Sequence, residues 1–154
     1  MNINLPAQIT VEQYVPKSDH LPAFGRILFS FDEERRRYLP LDLTIHGNNP
    51  MLSMDIRSVP YGRLFTEILR EELKEENLEL YKAHASVKAF FDKTVVKTKR
   101  RKRPYPTKEE VETTREVYTL ARACGAASIW AVALAHGIEH EDAKFWVKIA
   151  RGSK

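Results

Sequence analysis

The chain has 154 residues, of which 43% are hydrophobic and 30% charged, and its formal net charge is +4. That length supports one domain or two small ones with a real core. No apolar run approaches the roughly 20 residues that cross a bilayer, and the lone cysteine excludes an internal disulfide and any metal site built on clustered cysteines.

The N-terminal segment MNINLPAQITVEQ has neither a basic start nor an apolar stretch, so no secretory signal is expected. With the single cysteine, this makes the cytoplasm the expected location. Residues 1–22 read as a loosely ordered lead-in punctuated by Pro6, Pro16 and Pro22. Within it, Ile9, Val11 and Tyr14 have the spacing of a short edge strand. Three period-2 runs follow: Ile27, Phe29 and Phe31; then Leu39, Leu41, Leu43 and Ile45; then Leu52, Met54 and Ile56. DEERRR and Gly47-Asn48-Asn49-Pro50 separate them as turns. This pattern predicts an antiparallel meander over about 24–57 with one buried face. Pro40 interrupts the second run and predicts a bulge or an edge position there.

A helical cover is expected next, over about 60–93. Ser58-Val59-Pro60 reads as a helix start with proline in the first turn. Leu64, Phe65, Ile68, Leu69 and Leu73 form an apolar stripe, and Arg63, Glu67, Arg70, Glu71 and Lys74 face outward. A further helix over roughly Leu78 to Phe91 carries Leu80, Tyr81, Ala85, Val87, Phe90 and Phe91. The first helix should pack on the meander, giving an α+β domain over 1–96. The surface near Phe90 and Phe91 is either core or a dimer seam.

Charge then concentrates. Residues 97–103, KTKRRKR, hold six Lys/Arg and no acid, while the rest of the chain is close to neutral. A cluster of this density attracts polyanions and releases their counterions on binding. Residues 97–106 are therefore read as a basic arm, with Lys97, Lys99, Arg100, Arg101, Lys102 and Arg103 making mainly phosphate contacts. A solvated linker is the alternative reading of the same composition.

The last segment, 107–154, reads as three short helices. Thr107 and Glu110 fit a capping box. Val111, Thr114, Tyr118 and Ala121 share a face, with Val117, Leu120 and Cys124 beside them. Gly125 supplies a left-handed stop. Ser128 caps or opens the second helix, whose Ala131, Ala133 and Ala135 allow close approach. Gly137 ends that helix, Ile138 turns inward, and the third helix carries Ala143, Trp146, Val147 and Ile149 on its apolar side.

Ala133, then Gly137, Ile138, Ala143 and Trp146, resemble the helix-turn-helix pattern of resolvases, transposases and small repressors. The ending AKFWVKIAR is similar to the tail of small actinobacterial and phage-encoded helix-turn-helix proteins. Arg101-Lys102-Arg103-Pro104 resembles the minor-groove arms that invertase-type recombinases place just before this unit. The resemblance covers the C-terminal third. It implies a transcriptional regulator, such as a repressor, or a phage or plasmid accessory factor, that binds duplex DNA, with dimerisation on two half-sites left open. Its implied contact residues, beyond the arm, are Ser128, His140, Lys144, Lys148 and Arg151.

One departure from that pattern stands at the start of the third helix. Glu139, Glu141 and Asp142 are acids where base-reading positions are usually polar or basic. They also suit a helix N-terminus. This leaves a second reading, a protein-interaction module whose acidic helix binds a protein partner. Enzyme chemistry is not expected. Asp42, His46 and Asp55 lie on or near neighbouring strands, but polar residues on the wet face of a sheet explain them without a metal. No G-x-S-x-G elbow or glycine-rich phosphate loop occurs, and Cys124 lies at a helix C-terminus, where the dipole disfavours a thiolate. No cofactor is expected.

Overall fold

The computed structural model describes residues 2–16, 23–46, 59–97 and 105–152. Its architecture is α+β. Three strands come first: β1 (Gln8–Tyr14), β2 (Ala23–Asp32) and β3 (Arg37–His46). Six helices follow: α1 (Tyr61–Glu76), α2 (Leu78–Ala83), α3 (Ala85–Phe91), α4 (Lys108–Cys124), α5 (Ser128–His136) and α6 (His140–Gly152).

The strands form an antiparallel sheet in the order β1-β2-β3. Alternation turns Ile9 and Val11 of β1 inward with Ile27 and Phe29 of β2, and Phe24, across the register shift between Phe24 and Arg26, is buried with them. The short edge strand expected at Ile9, Val11 and Tyr14 is β1, Gln8–Tyr14, paired along its length with β2. The residues before it are tied down rather than loose. The Tyr38 hydroxyl donates to Pro6 O at 2.7 Å. The buried Asn77 side chain accepts from Asn4 N at 2.7 Å and donates to Asn4 O at 2.9 Å. These contacts satisfy backbone groups that a short segment cannot satisfy alone.

Pro40 acts as expected. Leu28 pairs with Asp42 while Phe29 pairs with Pro40, so Leu41 is the extra residue of a bulge. Leu41 is consequently 62% exposed and does not share the inward face predicted for Leu39, Leu41, Leu43 and Ile45. Proline lacks the N–H that would continue the ladder, and the inserted residue reverses the local side-chain direction. The strand predicted at Leu52, Met54 and Ile56 lies outside the described residues.

Helix α1 buries Leu64, Ile68, Leu69 and Leu73, and its Phe65 meets Phe29 of β2 edge-on at 5.4 Å, which seats it on the sheet. Its cap is Pro60, immediately before the first helical residue. The single helix predicted over Leu78–Phe91 is two helices, broken where His84 adopts an extended conformation (φ −119°, ψ 118°). No glycine or proline marks this break. It redirects α3 so that Val87, Phe90 and Phe91 are buried among α4 and α5.

Helix α4 is the axle. It packs against α1, α3, α5, α6 and β3, and its Val117, Leu120, Ala121 and Ala123 are fully buried. One hydrophobic cluster runs from Ile9 and Phe29 through α1 and α3 to Trp146 and Val147, without a gap between the N-terminal and C-terminal parts. No helix among the described residues is long and apolar enough to cross a membrane.

Candidate nucleic-acid interface

The C-terminal helices are set by local signals. Thr107 Oγ1 accepts from Glu110 N at 3.2 Å, and Glu110 Oε2 accepts from Thr107 N at 2.9 Å, completing the capping box that starts α4. Gly125 (φ 77°) stops α4 and Gly137 (φ 63°) stops α5, both left-handed. Ser128 is the first residue of α5 and makes no capping hydrogen bond; the cap is Ala127.

Beyond Gly137 the chain turns into α6. Ile138 donates its N–H to Ala133 O at 3.0 Å and buries its side chain. Ala143, Trp146, Val147 and Ala150 form the inner face of α6. The Trp146 ring meets the His136 ring edge-on at 5.4 Å, and His136 Nε2 lies 3.3 Å from Thr114 Oγ1. The end of α5 is therefore held by both neighbouring helices. Burying a side chain the size of Trp146 stabilises such a small unit by about 3 kcal/mol.

Lys144, Lys148 and Arg151 are exposed on α6, and their 4- and 3-residue spacing puts them on one outward face. The acidic first turn interrupts that face. Glu141 accepts from Lys144 Nζ at 2.7 Å, which holds its carboxyl below the usual range, and His140 Nδ1 lies 3.7 Å away. The His140 ring lies against Trp130 of α5, 4.5 Å between centroids and 33° between planes. His140 is thus half-buried under an indole rather than presented outward.

The arm's two ends are described. Lys97 is exposed, whereas Lys99, Arg100, Arg101, Lys102 and Arg103 lie outside the described residues. On the upstream side, Val96 N donates to Leu134 O of α5 at 3.1 Å. A Cβ built on Gly137 would meet Lys97 O at 2.9 Å and Val96 Cγ1 at 2.9 Å. Only glycine lets this segment lie against the turn. Downstream, Tyr105 meets Phe145 of α6 edge-on at 5.4 Å. The described residues on either side of the basic run, Val96–Lys97 and Tyr105, therefore rest on the α5–α6 pair.

Two features escape the sequence reading. Trp130 (56% exposed) and Leu134 (43% exposed) stand one turn apart on the outside of α5, beside the small residues singled out in the sequence. Arg36, Arg115 and Arg122 join Arg151 around a single cleft. Arg115 and Arg122 are seven residues apart on α4 and so share a face, a signal present in the sequence. Arg36 comes from the β2–β3 turn, and only folding brings it there. Cys124 is buried, and burial pushes its thiol up to about 12, which leaves it inert. Asp42 is exposed, and no group of three or more His, Cys, Asp or Glu among the described residues is placed to hold a metal.

No family model, no curated protein and no solved structure matches this chain.

Proposed function

We propose that the protein binds duplex DNA, as a transcriptional regulator or a phage or plasmid accessory factor, with the basic arm on the backbone and α5–turn–α6 as a helix-turn-helix. The observation that carries this reading is the seat of the arm. Val96 and Lys97 lie directly on the Gly137 turn, and Tyr105 lies on α6, so the described residues on either side of the basic run rest on the helix pair that carries Lys144, Lys148 and Arg151. Charge density and a protruding helix are the two parts that phosphate binding and groove insertion need. The Glu141–Lys144 ion pair reduces the cationic character of the first turn of α6. Lys148 and Arg151 are then the helical contacts with the larger role, chiefly to phosphate.

The test is salt dependence. Affinity for a random-sequence duplex, followed by fluorescence anisotropy, should fall about 10³-fold between 50 and 200 mM salt if about six phosphates are contacted. Replacing the six cations of 97–103 by glutamine should reduce the slope of log K against log salt by about five. Selection from random duplexes should then enrich an inverted repeat if two copies bind together.

A second reading, a protein-binding module, is favoured by one observation: Trp130 and Leu134 are exposed on α5, and the Trp130 ring lies on His140, which opens the acidic first turn of α6. Exposed aromatics of this kind anchor protein interfaces. A DNA affinity indifferent both to salt and to the six substitutions would overturn the first reading in favour of this one.

A further inference from the structure

The cleft between the β2–β3 turn and the C-terminal helices has a volume of about 380 Å³, within the range of roughly 300–1,000 Å³ that small-molecule sites occupy. Its cationic residues are Arg36, Arg115, Arg122 and Arg151, and none of the described residues that line it is Asp or Glu. Its non-polar wall is Leu5, Phe31 and the ring of Tyr118. We propose that this cleft binds a phosphorylated small molecule of nucleotide type, its phosphates on Arg36, Arg122 and Arg151 and its planar part against Phe31 and Tyr118. This goes beyond the DNA reading and does not depend on it.

The arginines are positioned rather than scattered. Asp32 Oδ1 accepts from Arg35 N at 2.9 Å and its Oδ2 accepts from Arg35 Nη1 at 2.7 Å, which shapes the turn. Arg35 O in turn accepts from Arg122 Nη2 at 3.0 Å, docking the turn on α4. That bond uses one of the five donors of the Arg122 guanidinium. Arg115 Nε donates to Ala150 O at 3.0 Å, which fixes a further positive charge beside the C-terminus of α6.

Arg36 supplies an independent pointer. Its φ is 56°, in the left-handed region, where a non-glycine residue costs about 1 kcal/mol or more. Glycine would take that turn position more cheaply, yet an arginine stands there and lines the cleft. Backbone strain of this sort gathers at ligand sites. Glu33 faces Arg36 at 3.7 Å with both side chains largely exposed, a weak competitor. Arg36, Arg122 and Arg151 bring three guanidinium groups to one cleft, a set suited to planar, bidentate binding of phosphate.

Isothermal titration of the full chain with ATP, pyrophosphate and orthophosphate tests the proposal. ATP should bind saturably and more tightly than pyrophosphate, with orthophosphate weakest, because both the charge and the aromatic wall contribute. Arg36→Gly and Arg151→Gln should each weaken ATP about tenfold or more. Arg36→Gly should also keep or raise the thermal midpoint, so lost binding there cannot come from unfolding. The six-glutamine arm variant should still bind ATP. Absence of saturable binding by all three anions at millimolar concentration would overturn the proposal. So would equal affinity for ATP and orthophosphate, or ATP binding unchanged by both arginine variants. If the two variants weaken duplex DNA by the same factor as ATP, and DNA displaces ATP, the cleft belongs to the DNA surface and the small-molecule assignment fails.

Discussion

At Gly125 an added methyl group would meet only Thr66 Oγ1 at 3.7 Å, an ordinary contact, whereas at Gly137 it would press on Lys97 O and Val96 Cγ1, each at 2.9 Å. Both residues are left-handed, so alanine at either suffers the same backbone strain of about 1 kcal/mol. The prediction is a difference. Chemical denaturation should show Gly137→Ala losing about 2 kcal/mol more than Gly125→Ala if the chain at Val96 cannot yield, and comparable losses would mean that it can. Glu116 gives a second test at this scale. It is 3% exposed, and neither carboxylate oxygen has a hydrogen-bond partner among the described residues. Burial raises its pKa above the ordinary 4.5, opposed by His84, whose Nε2 lies 3.8 Å away. A carboxyl raised in the folded state contributes stability that is full below its unfolded pKa and is lost as pH rises through the folded one. Stability of the parent relative to Glu116→Gln should therefore decline as the pH rises above 4.5. A difference that grows instead would mean that the His84 charge outweighs burial.

Among the elements, α4 was readable from its own residues, because a capping box, an apolar face and a glycine stop all act within the helix. The turn at Gly137 was readable for the same reason. The β1 edge strand was readable from the spacing of Ile9, Val11 and Tyr14, but its anchors from Tyr38 and Asn77, far along the chain, were not. The break at His84 was equally hidden, since the apolar spacing runs on through Leu80, Val87 and Phe91, and only packing against α4 and α5 selects the bend. The two tryptophans show what the same residue type does on opposite faces of one helix pair. Trp146 is 1% exposed and Trp130 56%. Trp146→Ala should cost about 3–5 kcal/mol, and Trp130→Ala at most about 1 kcal/mol. Acrylamide should quench the fluorescence of a Trp146→Phe protein readily and that of a Trp130→Phe protein poorly. Of the candidate site, the arm and the α6 cations could be read from charge and period. The arginine cleft could not, because a turn near residue 36 and two helices beyond residue 107 form it only after folding.

For the molecule as a whole, the continuous core is the fact with the widest reach. The basic run divides the sequence into an α+β part and a three-helix part, but side chains of α1 and α3 interlock with those of α4 and α5 across that division. An isolated piece starting at residue 107 would present the faces of α4 and α5 that α1 and α3 cover, and should unfold at lower temperature than the full chain by calorimetry. Docking on DNA would in that case load the sheet as well as the helices, and mutations deep in the sheet should weaken DNA binding through stability alone.

The same interlocking means that the peptide bond between the two parts is not what keeps them together. A protease site placed between Thr98 and Pro104 and then cleaved should leave a nicked pair that co-elutes in size-exclusion chromatography, and two separately expressed halves should reassemble when mixed. The protein would then serve as its own split reporter, with complementation measuring how tightly one half holds the other.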